Sequence, residues 1–186
     1  MAELVLVRHG QTDWSREGKH TGRTDVPLNE EGEADARSLH SRLSEREFGL
    51  VLSSPLQRAV RTAELAGLDP EMDDDLVELA YGPEEGRTTD QARETRPGWT
   101  VWDDVGLGET MAEIAQRQQR VLDRVRTVLE SGADACLVAH GHSLRVAAAC
   151  WLELPPVTGR HLPLGAGAIS TLGFEHDFPA ILTWNT

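Results

Sequence analysis

Arg8, His9 and Gly10 follow directly on the apolar run Leu4-Val5-Leu6-Val7. Such a run reads as a buried strand, and ligands of open α/β sheets bind at the carboxyl ends of strands. A cation, an imidazole and a flexible turn therefore arrive together at the rim of a sheet. A histidine there can attack phosphorus, and an arginine beside it can hold phosphate oxygens in a forked grip. The same order recurs at His140-Gly141-His142, after Leu137-Val138-Ala139. Two strands ending in His-Gly speak against two unrelated core histidines. His140 and His142 also admit a metal reading, because alternate residues of a strand share a face. No cysteine or carboxylate cluster completes that ligand set, so neither a metal nor another cofactor is expected.

Hydrolysis of a phosphomonoester needs a nucleophile, positive groups around the phosphoryl oxygens and an acid for the leaving oxygen. His9 supplies the nucleophile, provided one ring nitrogen is unprotonated, which nearby Arg8 and Arg58 favour. Arg8, Arg58 and His140 form the phosphate clamp, delivered by two strand ends and one helix start. The acid has to be a carboxylate. The stretch from Asp73 to Glu85 offers several, and composition does not choose among them. His142 opens the helix after His140 and is placed to touch substrate.

The elements that must deliver these groups can be read from the pattern. Leu4 to Val7 is the first strand. Asn29 caps a helix with an acidic first turn and a buried face of Ala36, Leu39 and Leu43. Leu50 to Leu52 is the second strand, and Ser54 and Pro55 are expected at the N-cap and N1 positions of the helix carrying Arg58. A long amphipathic helix covers 109–131 and stops at Gly132. Cys136 to Ala139 is a strand, followed by a helix from Ser143 to about Leu152. Residues 168–174 and 180–184 are late strands. This alternation predicts an α/β fold: a three-layer α/β/α sandwich, with a mainly parallel central sheet covered on both faces. Residues 67–109 form a long irregular insertion, with Thr89 to Arg96 as one short helix, inside a single domain of residues 1–186. An insertion of that length near a site reads as a functional loop or lid, or equally as a packed surface loop whose Trp99 and Trp102 are core.

The run Arg8-His9-Gly10-Gln11-Thr12-Asp13-Trp14 resembles the opening motif of the histidine phosphatase superfamily, the phosphoglycerate mutase-like enzymes. The similarity continues at Gly18, Thr21-Gly22, Asp25, Pro27-Leu28-Asn29 and Gly32. It returns at Ser53-Ser54-Pro55-Leu56-Gln57-Arg58-Ala59, at Leu76 to Gly82 with Glu85-Gly86, and at Leu137 to His142. These blocks keep the family's order and span most of the chain. His20-Thr21-Gly22, Gly86-Arg87-Thr88-Thr89 and Gly173-Phe174-Glu175-His176 look most like small actinobacterial acid phosphatases. The resemblance implies a phosphohistidine on His9 and selects Glu78 as the general acid and base. It makes Thr21 and Gly22 a substrate-contacting turn. It also places Ser15 where the family commonly has a phosphate-binding asparagine. The Pro83-Glu84 pair is a second departure, at a position where an aromatic is common.

The formal net charge of −13, with seventeen arginines and Lys19 as the one lysine, argues against nucleic acid, which requires a basic face. It argues equally against an anionic membrane surface. Cys136 and Cys150 read as free thiols in a reducing compartment. No signal peptide or membrane span is legible, so the expectation is a cytoplasmic protein acting on a small phosphorylated substrate, and a homo-oligomer is left open. The expected activity is that of a metal-independent acid phosphatase, broad on small metabolites. A phosphoglycerate mutase-type phosphotransferase and a non-catalytic phospholigand-binding module are the rivals.

Overall fold

The computed structural model describes residues 2–103 and 108–186. Residues 104–107 of the expected insertion lie outside the described residues. A six-stranded sheet runs through the molecule in the order β3-β2-β4-β1-β5-β6. Its strands are β1 (Leu4–Arg8), β2 (Phe48–Ser53), β3 (Glu71–Met72), β4 (Asp134–Ala139), β5 (Ile169–Glu175) and β6 (Phe178–Thr183). β3, β2, β4 and β1 pair in parallel, and β5 and β6 add antiparallel at the far side. The sheet is therefore mainly parallel, as the alternation of strands and helices requires.

Strand geometry sends alternate side chains to opposite faces. Leu4 and Leu6 of β1, with Ala135 and Leu137 of β4, pack under α5 (Met111–Glu130) and α6 (Gly141–Trp151), against Val121, Leu122, Leu144 and Trp151. Val5 and Val7 point the other way with Cys136 and Val138, onto Leu39 and Leu43 of α2 (Glu30–Leu43) and Ala59 and Ala63 of α3 (Gln57–Leu65). Two apolar layers thus enclose the sheet, which gives the three-layer sandwich. Cys136 is buried and Cys150 half-buried, and both thiols are free. No helix among the described residues is long and apolar enough to cross a membrane.

Two helix starts differ from the sequence expectation. α3 begins at Gln57, after an N-cap at Leu56 that has no side-chain cap bond. Ser54 is not its cap, because its hydroxyl is drawn to His140. α6 begins at Gly141 with His140 as its N-cap, two residues earlier than read, since glycine and histidine here continue directly from strand into helix. His140 and His142 therefore occupy a helix cap and a first turn rather than one face of a strand.

The expected insertion carries more order than its composition suggests. It contains β3, 3-10 turns at Asp74–Leu76 and Gly82–Glu84, and α4 (Thr89–Thr95). Glu84 is fully buried and grips Arg87 at 3.1 Å and Arg96 beside it. Those arginines, each about a third exposed, hold the segment together through the buried carboxylate. Arg117 of α5 holds Glu109 at 2.6 Å and ties the end of the segment to the long helix.

Candidate active site

Parallel pairing sets the ends of β1, β4 and β2 side by side. The His9 N–H donates to the Ala139 carbonyl, and the Ser54 N–H donates to the Val138 carbonyl, both at 3.0 Å. His9 and His140 thereby leave adjacent strands at one level, with ring centres 5.1 Å apart. Gly10 permits this rim, because a Cβ there would lie 2.2 Å from the Gly32 carbonyl oxygen. The backbones at Gly10 and Gly32 meet where no side chain fits.

His9 is 4 % exposed. Its Nδ1 lies 2.7 Å from the Gly10 carbonyl oxygen. A carbonyl only accepts, so Nδ1 carries the proton and Nε2 keeps its lone pair. Burial, with the Arg58 and Arg8 guanidinium groups nearby, holds the His9 imidazole well below its ordinary range. The ring is neutral, as a nucleophile has to be.

Arg58 is fully buried in the first turn of α3. It donates from Nη1 to the Thr24 carbonyl at 2.9 Å, from Nη2 to the Gly22 carbonyl at 2.8 Å and from Nε to His140 Nδ1 at 3.2 Å. His140 Nδ1 accepts, so Nε2 carries the hydrogen and donates to Ser54 Oγ at 2.7 Å. Burial and Arg58 keep His140 neutral as well, well below its ordinary range. Arg8 is anchored through Nη1 on the Leu164 carbonyl, and its buried Nε has no partner among the described residues. An unsatisfied buried donor of this kind costs free energy until an anion arrives.

Glu78 is 6 % exposed and sits against the start of α6. Its carboxylate accepts the N–H of Leu79 at 2.9 Å, of Ser143 at 2.9 Å and of His142 at 3.1 Å. It fills the cap that His140 leaves open, where helix N–H groups favour negative charge. Burial pushes the Glu78 carboxyl up, but the His142 side chain and the Leu79 N–H outweigh it and hold the group well below the usual carboxylate range. Glu78 is thus held as a carboxylate.

The cleft formed here measures about 180 Å³ and is lined by Arg8, His9, Ser15, Thr21, Arg58, Glu78 and His142. Of the residues expected from sequence, His140 and Gly22 do not line it; His140 is fully buried behind Arg58, with both ring nitrogens engaged. Gly22 adopts φ +58° and serves through its carbonyl on Arg58. Ser15 does line the cleft, but its hydroxyl is spent on a capping box, donating to the Thr12 carbonyl and accepting the Thr12 N–H. Residues missed from sequence include Tyr81, Arg145 and Glu85. Tyr81 is buried, and burial with the Glu78 charge keeps its phenol well above its usual range. It therefore donates to His142 Nδ1 at 2.6 Å. Arg145 lines the same cleft from α6, three residues after His142, a helical spacing that puts both on one face. Glu85 accepts the N–H groups of Arg23 and Thr24 at 3.1 and 3.0 Å and so holds the turn that grips Arg58.

Similarity to known proteins extends over nearly the whole chain. The family model described as the histidine phosphatase superfamily (branch 1) matches residues 4–186. The chain is 38 % identical to an acid phosphatase of Mycobacterium tuberculosis over 179 residues, covering 93 % of this chain and 87 % of that protein. It is 32 % identical to a probable phosphoglycerate mutase, GpmB, of Escherichia coli over 195 residues, covering 99 % of this chain and 90 % of that one. A solved structure of a functionally characterised open reading frame from Mycobacterium tuberculosis superimposes with a TM-score of 0.94 at 34 % identity, covering 99 % of this chain and 97 % of its own.

Proposed function

This chain belongs to the histidine phosphatase superfamily, and we propose that it is a metal-independent phosphomonoester hydrolase working through a phosphohistidine on His9. The observation that carries the reading is the His9 ring, fixed by Gly10 with its Nε2 lone pair free, beside half-buried Arg8 and fully buried Arg58. The phosphoryl group enters the cleft, where Arg8 and Arg58 meet it and His140 supports Arg58 from behind. Nε2 attacks phosphorus as the bond to the ester oxygen breaks. Positive groups placed where charge develops stabilise the transition state more than the ground state.

Glu78 handles the proton. A phosphate ester loses its second proton near about pH 6, so a monoanionic substrate carries one into the site. The phosphate's own negative charge raises the Glu78 carboxyl, since like charges disfavour ionisation. Glu78 then gives the proton to the leaving oxygen. In the second half it takes a proton from the water that attacks phosphohistidine, and inorganic phosphate leaves. The small cleft fits small phosphorylated metabolites, and the acid phosphatase relative supports hydrolysis as the outcome.

A mutase-type phosphotransfer is the second reading, favoured by the presence of Arg145 in the cleft and by the mutase-named relative. Against it, Lys19 is already paired with Glu17 at 2.6 Å. The test is phosphate release from p-nitrophenyl phosphate and a panel of sugar and hydroxy-acid phosphates, with and without a chelator. Release undiminished by chelator is expected, with little interconversion of 3- and 2-phosphoglycerate. Mutase turnover faster than phosphate release, stimulated by 2,3-bisphosphoglycerate, would favour the second reading.

A further inference from the structure

Glu78 lies between the 3-10 turns Asp74–Leu76 and Gly82–Glu84, in neither a strand nor a helix. Its side chain is held by the N–H groups of Leu79, His142 and Ser143. A general acid gains and loses a proton in each cycle, and a protonated carboxyl accepts such bonds less strongly. The side-chain contacts therefore change within a turnover. A lasting position has to come from the backbone.

Two neighbours on α5 fix that backbone on one side. Arg117 Nη1 donates to the Asp75 carbonyl at 2.5 Å, and Gln118 Nε2 donates to the same oxygen at 2.7 Å. Glu109, the residue before the Thr110 N-cap of α5, fixes the other side. Its N–H donates to the Ala80 carbonyl at 2.9 Å, and its Oε2 accepts the Ala80 N–H at 3.4 Å. Arg117 joins the two sides, donating from Nε to Glu109 Oε1 at 2.6 Å and from Nη2 to Glu109 Oε2 at 2.9 Å. Asp75, Arg117, Glu109 and Ala80 thus close a ring of bonds around the stretch that carries Glu78. Gly108 permits the close approach, because a Cβ there would lie 2.0 Å from the Ala80 carbonyl oxygen.

The Arg117 and Glu109 side chains are only 6 % and 9 % exposed. Desolvating two charges is offset only by excellent geometry, and an apolar pair of similar volume is often as stable. Stability is thus a poor reason for this pair. Position is a better one, since a forked guanidinium–carboxylate contact fixes direction as well as distance. The same carboxylate lies 3.7 Å from Arg23, on the turn whose Gly22 and Thr24 carbonyls hold Arg58. Arg23 is more than half exposed, so that contact adds little energy. It does place Glu109 between the acid's segment and the turn behind the clamp.

We propose that Glu109 is a positioning residue for the general acid: with Arg117 it fixes the backbone on both sides of Glu78 and keeps its carboxyl at the leaving oxygen. This rests on the reading of Glu78 as the acid.

Glu109→Gln alone would leave Arg117 buried without a counter-charge, which destabilises a fold for reasons unrelated to Glu78. The informative variant combines Glu109→Met with Arg117→Met, which removes the whole fork and leaves apolar side chains in its place. The phosphorylation step is measured by rapid mixing on glucose 6-phosphate and on p-nitrophenyl phosphate. Misplacement of a reacting group by 1 Å costs about 10²-fold. Glucose 6-phosphate should therefore slow by roughly ten- to hundredfold, while the p-nitrophenol burst stays near wild type. In a Glu78→Gln background the same two changes should slow glucose 6-phosphate no further, because residues that act through one group are not additive. Arg117→Lys keeps the charge and loses the fork. It should give a smaller loss of the same kind, and it decides the matter if the double variant does not fold. Equal slowing of both substrates in either variant, no slowing, or a full further loss on top of Glu78→Gln would overturn the proposal. If Glu78→Gln itself slows both substrates alike, the acid reading fails first, and this proposal with it.

Discussion

Each carboxylate oxygen of Glu78 already accepts backbone N–H groups, and this sets how the residue can serve as an acid. On the proposed mechanism it gains a proton only when the phosphate is beside it. Two consequences follow at this scale. The rate on an alkyl phosphate should fall as pH rises through about 6, where the substrate loses the proton it would bring. Glu78→Gln should also separate substrates by leaving group. A sugar phosphate needs its leaving oxygen protonated, and loss of a general acid costs roughly 10²–10⁴-fold. p-Nitrophenolate leaves almost unaided, so the burst of p-nitrophenol in a rapid-mixing experiment should survive. Equal loss of that first step for both substrates would remove Glu78 from the acid role.

Among the elements, the segment between β3 and α5 is the one whose order depends on buried charge. The Glu84 side chain is 1 % exposed while Arg87 and Arg96 are about a third exposed at 32 % and 31 %. Removing the carboxylate leaves two guanidinium groups that can still reach water, so the cost is below that of a fully buried pair, about 1–3 kcal/mol. Glu84→Gln should therefore lower the stability read from urea unfolding by that amount. It should raise KM more than it lowers kcat, because Trp102 and Tyr81 of this segment line or support the cleft while the clamp stands on the sheet. Unchanged stability would show that the ion pairs are ornamental. The segment's fold was poorly legible in sequence because its order comes from Glu84 and Glu109 meeting Arg87, Arg96 and Arg117 across stretches of irregular chain. Charge runs of that kind look the same whether solvated or buried. The strands and the two long helices were legible because apolar periodicity reports burial directly.

The whole molecule carries the electrostatic consequence of gathering histidines at a dry rim. His9 and His140 are held well below their ordinary range, and burial with His142 takes His20 to about 4. Each binds a proton in the unfolded chain near about pH 6.5 and resists it in the fold. The unfolded state thus holds more protons below that pH, and stability falls as pH drops from about 6.5 towards 4. Glu78, ionised in the fold, adds a loss of the same sign at lower pH. Urea midpoints measured from about pH 7 to about pH 4.5 should decline steadily; a flat profile would mean that these imidazoles are wet. At this scale the sequence made the convergence of Arg8, His9, Arg58 and His140 readable, because parallel strands end on one side. It did not reveal Arg145. That residue becomes part of the cleft only when α6 starts at Gly141 and the Pro156–His161 turn supplies carbonyls to hold it.

Passage of the phosphoryl group through His9 is the step on which the whole mechanism depends. Rapid mixing with ³²P-labelled monoester, an alkaline quench that preserves phosphoramidates, and peptide mapping would test it most directly. Label on the peptide containing His9, acid-labile and absent from His9→Ala, is the predicted result. Turnover at an undiminished rate in His9→Ala, or label carried by another residue, would contradict it.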